Sequence, residues 1–309
     1  METRAKALWT PAPVAASLPR MSPLPLPPGA CDCHTHVFGE GWPLAPDRTY
    51  SPEVRTTAQL LATQDSLGLS RVVLVQPSPY GADNHGMAAA LREIGPDRAR
   101  GVAVIDKATS EATLRDLHGA GVRGVRINLH TAGRSDPGPA RDLLEWTAAR
   151  VAPFGWHVQI YTDLAVIAAL HDTILGLPTG VVVDHFGRAE GAGGVSQPGF
   201  DSLLSLLRQG RAHVKLSAAH RLSAAPDLAD MKPIARALIE ANPHRVVWAS
   251  DWPHSGRKGD LPPDAVHPFS PIDDSAAIAR LRRWAGDEAM LARILVTNPA
   301  GLYEFPAAG

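Results

Sequence analysis

The sequence predicts an α/β protein built as one (β/α)8 TIM barrel. Eight short apolar runs rich in β-branched residues recur through residues 30–252, and helical stretches separate them. The runs are nearly continuous in their apolar character, which is typical of parallel strands between covering helices and a filled barrel interior. Spacings of roughly 20 to 40 residues leave room for one helix after each strand. A doubly wound sheet fits the same alternation, but no run is followed by a glycine-rich phosphate loop.

The element boundaries follow from local signals. Ser51, Pro52 and Glu53 have the character of a helix start, and Gly68 ends that helix. Asp163 precedes another helical stretch, and Asn298-Pro299 opens the last short helix. The predicted strands are 30–36, 71–77, 100–106, 122–129, 157–162, 180–186, 213–218 and 245–252.

Composition limits the domain count and the partners. Residues 1–28 hold seven prolines and are predicted to form a proline-rich N-terminal arm, which leaves 29–309 as a single (β/α)8 barrel. The 30 Lys and Arg balance 31 Asp and Glu, so nothing favours nucleic acid or a membrane surface as partner. Two cysteines and no signal-peptide or membrane-spanning run indicate a cytoplasmic protein. The sequence leaves open whether it is a monomer or a homo-oligomer.

Polar side chains collect where three of the predicted strands end, which is where a barrel of this kind builds its active site. The first strand ends in His34-Thr35-His36, whose period of two places both imidazoles on one face. The sixth ends at His185 and the eighth at Asp251. Neutral imidazoles and a carboxylate are also usual ligands of a divalent metal. Each signal is weak alone, but their joint placement predicts a catalytic site.

Four segments resemble the amidohydrolase superfamily, most closely the branch containing 2-pyrone-4,6-dicarboxylate hydrolase and sugar lactonases. They are 31–39 (CDCHTHVFG), 183–188 (VDHFGR), 214–217 (VKLS) and 247–254 (VWASDWPH), within a likeness that covers roughly residues 28 to 306. The resemblance implies a distorted barrel that hydrolyses the ester of a lactone. Asp251 would take a proton from water, and His34, His36 and His185 would polarise the lactone carbonyl.

The resemblance favours a site with no required metal. Binuclear relatives carry a carboxylate or modified lysine at the end of the fourth strand and a histidine on the fifth, whereas this sequence has Asn128 and Tyr161 near those places. One divalent ion, zinc, is the alternative cofactor, and its ligands would be His34, His36, His185 and Asp251.

The substrate is expected to be a small anionic lactone, because guanidinium groups pair with carboxylates in two-point geometry. The expected contacts are Arg126, Arg188, Arg221, Tyr50, Ser78, Tyr161 and His254. Where the related hydrolases carry a second basic residue after the fourth strand, this chain has Ala132, so one carboxylate contact is missing unless Arg134 or His130 replaces it. A 2-pyrone-4,6-dicarboxylate, a muconolactone or a sugar-acid lactone therefore all remain open.

Two further expectations complete the interpretation. Strand alternation puts Cys31 and Cys33 on the face opposite His34 and His36, so the thiols are predicted to be packing groups without a chemical role. The same catalytic set also occurs in zinc-dependent decarboxylases of the amidohydrolase group, and a lactone isomerase or a non-catalytic acid-binding barrel are further alternatives. A grouped set of buried titratable residues argues against binding alone.

Overall fold

Eight parallel strands form one sheet in which neighbours in the chain are neighbours in space. A computed structural model describes residues 25–130 and 136–306. Each of the eight predicted runs overlaps one strand, so the predicted (β/α)8 barrel is confirmed. The strands are β1 Cys31–Thr35, β2 Arg71–Val75, β3 Ala99–Ala103, β4 Val122–Asn128, β5 His157–Tyr161, β6 Val181–Val183, β7 Ala212–Leu216 and β8 Val246–Trp248.

The segment after β8 meets β1 and joins the two edges of the sheet. Thr35 pairs with Trp252 in parallel register, and the His36 amide donates to the Trp252 carbonyl at 2.9 Å. The Asp251 amide donates to the carbonyl of His34 at 3.0 Å. These bonds bring the last strand end beside the first, so Asp251 comes to lie next to the two histidines of β1.

Helices lie between the strands in the described parts of the chain. None of these helices is both long and apolar enough to cross a bilayer. They are α1 Thr57–Leu67, α2 His85–Ile94, α3 Glu111–Gly119, α4 Pro137–Val151, α5 Leu164–Ala169, α6 His171–Gly176, α7 Phe200–Arg208, α8 Met231–Ala241, α9 Asp274–Ala285, α10 Glu288–Ala292 and α11 Asn298–Tyr303.

Three of the four predicted helix boundaries are confirmed. Gly68 ends α1 with a left-handed φ of 76°, α5 follows Asp163, and α11 begins at Asn298. The helix start predicted at Ser51 is wrong. Ser51–Pro52 instead pairs with Val266–His267 in a separate two-stranded sheet, and α1 starts five residues later behind a Thr56 capping box.

A register shift in β1 changes which side chains face the barrel interior. The shift lies between Asp32 and Thr35. Cys31 and Cys33 pack inside the barrel, in an apolar cluster that includes Val73 and Tyr303. The predicted placement of the thiols on the face opposite the histidines is therefore wrong, because an irregularity in the strand resets the alternation on which it depended.

The Asp32 side chain does not lie on the face that strand alternation predicts, and it links elements of the barrel by hydrogen bonds. Its carboxylate accepts hydrogen bonds from the Ser250 amide at 3.0 Å, the Ser250 hydroxyl at 2.5 Å and the Gln64 side chain at 3.1 Å. Burial raises the pKa of Asp32 to about 6, although these hydrogen bonds oppose the shift. Asp32 thus connects β1 to α1 and to the residue before Asp251.

The division of the chain into an arm and a barrel stays a prediction. Residues 1–24, most of the predicted arm, lie outside the described residues, as do 131–135 and 307–309. Within the described ranges, β1 to β8 form one sheet, and the Ser51–Pro52 and Val266–His267 pair lies outside it.

Candidate active site

The four residues predicted to do the chemistry converge on one point. Asp251 Oδ1 lies 3.8 Å from His34 Nε2, 3.8 Å from His36 Nε2 and 3.7 Å from His185 Nε2. All four residues are buried. His185 and Asp251 have positive φ values of 48° and 69°, which non-glycine residues rarely adopt. Backbone strain is thus concentrated at the strand ends that deliver these side chains.

Each imidazole is held by a partner at Nδ1, so that Nε2 faces Asp251. His36 Nδ1 lies 2.7 Å from the Val75 carbonyl, to which it donates, and Nε2 of the neutral ring is then an acceptor. His185 Nδ1 lies 2.7 Å from the Ser217 hydroxyl, which is able to donate or accept. His34 Nδ1 lies 3.2 Å from Asp184 Oδ1 and 3.3 Å from Lys215 Nζ.

Burial decides the protonation of these groups. Desolvation lowers the pKa of His36 and of His185 to about 4 and that of His34 well below its ordinary value, so all three are neutral at pH 7. Burial raises the pKa of Asp251. The Arg221 guanidinium and the three imidazoles outweigh this effect and hold the pKa well below the usual range. Asp251 is therefore an ionised carboxylate, 2.7 Å from Arg221 Nη2.

A buried charge network lies beside the imidazoles. Asp184 Oδ2 accepts from Arg126 Nε at 3.2 Å and Gln159 Nε2 at 3.0 Å, and Asp184 Oδ1 lies 3.4 Å from Lys215 Nζ. Lys215 Nζ also donates to Gln159 Oε1 at 2.6 Å. Asp184, Lys215 and Gln159 are fully buried and were not predicted as site residues. The signal of Lys215 in the sequence is a charged residue inside an apolar strand, Val214-Lys215-Leu216, and that of Asp184 is a charge directly after the apolar Val181–Val183.

A cavity of about 480 Å³ opens above Asp251. Its lining includes six of the seven predicted substrate contacts, and Arg257, Asn128 and Ser255 are lining residues that the sequence interpretation missed. His130 also lines it, whereas Ala132 and Arg134 lie outside the described residues. The six predicted contacts are Tyr50, Ser78, Arg126, Tyr161, Arg188 and Arg221.

His254, the seventh predicted contact, does not line this cavity. It is buried, its Nε2 lies 3.2 Å from Asp274, and its ring packs edge-on against His220. Its φ of 64° carries the side chain away from the mouth, which the period of a strand does not predict.

The predicted arginines also contact acidic side chains. Arg188 Nε donates to Asp163 at 2.6 Å and its Nη1 to the Tyr161 hydroxyl at 3.1 Å. Arg221 Nη2 bonds both Asp251 and the Ser255 carbonyl at 2.7 Å. These contacts fix the guanidinium groups at the wall of the cavity and leave their other N–H groups for a ligand.

Among the residues that the structure describes, two groups of side chains have donors spaced for one metal ion, each with all its ligand atoms within 4.8 Å of one another. They are His34, His36 and Asp251, and His34, Asp184 and His185. The donor chemistry fits a divalent ion, and the buried Nε2 of His34 has no hydrogen-bond partner in the described residues. The chain can therefore hold a metal here, although Arg221 and Lys215 already balance the two carboxylates.

A barrel with a histidine pair at the end of β1, a histidine after β6 and an aspartate after β8 places its candidate catalytic residues at the carboxyl ends of its strands. The chain belongs to the amidohydrolase family, whose family 2 pattern matches residues 31–305. It is an enzyme of the hydrolase class, as the lactone hydrolases among its relatives are.

The chain is similar along most of its length to two lactone hydrolases. It is 39% identical over 290 residues to 2-pyrone-4,6-dicarboxylate hydrolase of Comamonas testosteroni, which covers 90% of this chain and 91% of that one. It is 34% identical over 284 residues to 4-sulfomuconolactone hydrolase of Rhizobium radiobacter, with 90% and 91% covered. The crystal structure of a probable 2-pyrone-4,6-dicarboxylic acid hydrolase from Acinetobacter baumannii with bound citric acid superposes with a TM-score of 0.76, at 28% identity over 90% of this chain and 100% of that chain.

Proposed function

We propose that the protein hydrolyses the ester bond of an anionic lactone in the cavity above Asp251. The observation that carries the proposal is the convergence of three neutral imidazoles on one ionised carboxylate, 3.7 to 3.8 Å away, at the floor of a cavity lined by guanidinium groups. A carboxylate can accept the proton of an attacking water, and nitrogen donors can stabilise the oxyanion that forms.

Each group has a distinct task in this proposal. Water adds to the lactone carbonyl while Asp251 takes its proton, and Asp251 returns that proton to the ring oxygen when the ester bond breaks. His36 donates a hydrogen bond from Nδ1 to the Val75 carbonyl, so its Nε2 is an acceptor for the remaining proton of the water. In this arrangement His185 Nδ1 accepts a hydrogen bond from the Ser217 hydroxyl, and His185 Nε2 donates a hydrogen bond to the lactone carbonyl oxygen.

We propose that no metal is required. Asp251 is already balanced by Arg221, and Asp184 by Arg126 and Lys215, so a cation would compete with fixed charges at both donor groups. If zinc were bound, His34, His36, His185 and Asp251 would hold it, and it would polarise the carbonyl as a Lewis acid.

The substrate class rests on the charge of the cavity. The guanidinium groups of Arg126, Arg188 and Arg257 line it together with the hydroxyls of Tyr50 and Ser78. Planar guanidinium groups recognise carboxylate and sulfonate oxygens in two-point geometry. Lactones that carry carboxylates or a sulfonate, as named for the relatives, therefore fit best.

We also infer a reducing compartment such as the cytoplasm. Cys31 and Cys33 are free and buried, with their Sγ atoms 3.8 Å apart. The chain has two cysteines in all, unlike the disulfide-rich domains of oxidising compartments.

The test is a screen of carboxylated and sulfonated lactones, 2-pyrone-4,6-dicarboxylate included, by acid release in both directions. Asp251→Asn is expected to lower kcat by about 10²- to 10⁴-fold, because a neutral amide cannot take the proton. Asp116→Asn, an exposed helix position, is the matched control and is expected to change nothing. Retained activity in Asp251→Asn would remove Asp251 as base, and carbon dioxide release without ring opening would select a decarboxylase.

A further inference from the structure

A second cavity opens at the amino ends of the barrel strands, and the proposed reaction makes no use of it. Its volume is about 550 Å³, within the range of small-molecule sites. Its lining includes His157 at the start of β5, Thr179 before β6, His213 near the start of β7 and Arg245 before β8. Asp251 follows the carboxyl end of β8, so this cavity and the active site lie at opposite ends of the barrel.

Arg245 brings an uncompensated positive charge to this cavity. Among the described residues that line the cavity there is no aspartate or glutamate, and Arg245 forms no ion pair with any described carboxylate. Its side chain is half-buried and makes one hydrogen bond to a described residue, from Nη1 to His213 Nε2 at 3.4 Å. A guanidinium group has five N–H donors. Most donors of Arg245 are therefore open to a ligand.

Two buried polar side chains of the lining have no hydrogen-bond partner in the described parts of the chain. His157 and Thr179 are each 6% exposed. Neither ring nitrogen of His157 nor Oγ1 of Thr179 forms a hydrogen bond with another described residue. Buried polar groups are nearly always hydrogen-bonded, because leaving one unsatisfied is costly. Two such groups at the wall of one cavity favour a ligand that hydrogen-bonds to them.

The charge of the lining favours an anion over a metal ion. Imidazoles are common metal ligands, but among the described residues no group of three metal-binding side chains has its ligand atoms close together in this cavity. Burial lowers the pKa of His157 and of His213 to about 3, so both imidazoles are neutral at pH 7. The permanent charge of the lining is that of Arg245, which repels a cation and attracts an oxyanion.

We propose that this cavity is a second ligand site, which binds the carboxylate or phosphate group of a small organic anion through Arg245. The planar guanidinium group recognises the oxygens of either group in two-point geometry. His213 accepts a hydrogen bond from Arg245 and holds the guanidinium in place, while His157 and Thr179 offer further hydrogen bonds. The cavity is larger than one inorganic ion, so it has room for an organic body beside the anionic group.

The first experiment titrates the unmodified protein at pH 7 and constant ionic strength with inorganic phosphate and, in a second arm, with acetate. Binding is followed by the ring ¹³Cε1 and ¹H shifts of His157 and His213. The expected result is that both residues respond with one common dissociation constant in the millimolar range. The anion that binds more tightly identifies the group that the site recognises. No response to either anion would overturn the proposal.

The second experiment repeats the titration with three variants. Arg245→Met is expected to weaken binding at least about tenfold, because charge-assisted hydrogen bonds to the anion are lost. Arg92→Met is the matched control, since Arg92 is exposed, lines neither cavity and forms no ion pair with a described residue. Arg188→Met removes a guanidinium group from the active-site cavity and is expected to leave the response of His157 and His213 unchanged.

Equal affinity in folded Arg245→Met and in the unmodified protein would refute the role of Arg245. If Arg245→Met does not fold, the titration of the unmodified protein decides. Neither measurement depends on whether the enzyme opens lactones, because no lactone is present.

Discussion

Replacing Asp184 with Asn tests whether the buried network is a balanced charge pair. The carboxylate is fully buried, with Arg126 Nε 3.2 Å and Lys215 Nζ 3.4 Å from its two oxygens. Asn has nearly the same shape, but one of its two terminal atoms is an amide nitrogen. Whichever way the amide turns, its donors face either Arg126 and Gln159 or Lys215, and two buried cations lose their counter-charge.

The expected loss is large because removing one partner of a buried ion pair costs about 3 to 5 kcal/mol. For a chain of 309 residues, whose entropy of unfolding is about 2.1 cal/mol/K per residue, such a loss lowers Tm by roughly 5 to 8 °C. Burial alone raises the pKa of Asp184, but Lys215, His34 and Arg126 hold it well below the usual range, so the charge is present at every pH of interest.

Urea unfolding and thermal melting at pH 7 measure the loss directly. Asp172→Asn is the matched control, because the Asp172 side chain is 99% exposed and its loss is expected to change stability little. The double variant Asp184→Asn/Lys215→Met is expected to be more stable than Asp184→Asn, since it buries one fewer unpaired cation. A loss below about 1 kcal/mol for Asp184→Asn would refute the charge-balance argument.

Three more predictions concern catalysis. Arg188→Met should raise KM for an anionic lactone about tenfold and leave kcat within about threefold, since it removes a charge-assisted contact of the cavity wall; a fall in kcat alone would contradict this. Dialysis against a chelator should leave the initial rate unchanged, and recovery of lost activity on adding zinc would show a required metal. Activity should be flat through neutrality and fall only near pH 4, where His36 and His185 gain protons and pair with Asp251; a rate profile with a midpoint near 6.5 would contradict this. Stability should decline as the pH falls from 6.5 toward 4, because the unfolded chain binds these protons first.

The sequence predicted the parts of the fold that depend on local pattern. Eight apolar runs identified eight strands, and three strand ends identified His34, His36, His185 and Asp251, because a parallel barrel brings its strand ends together at one face. Conformations set by distant partners were not predictable. Ser51 has the pattern of a helix cap but pairs with Val266, more than two hundred residues away.

Strand irregularities and turns account for most of the remaining errors. The register shift in β1 brought Cys33 inside and turned Asp32 toward Ser250, and no residue pattern marks such a shift. His254 sits three residues after Asp251, yet its positive φ directs it to Asp274. Lys215 was visible as a charge in an apolar strand, but its partners come from β1, β5 and the end of β6.

The near-zero net charge of the chain conceals an excess of positive charge at the site. The imidazoles are neutral at pH 7, so the balance rests on the permanent charges in the cavity wall and the buried network. Among the described residues five cations face three carboxylates there, which leaves room for about two negative charges on a ligand. We infer that a dianionic lactone binds better than a monoanionic one of the same shape, because only the dianion neutralises both excess positive charges of the site. The charges compared are those of Arg126, Arg188, Lys215, Arg221 and Arg257 with those of Asp163, Asp184 and Asp251.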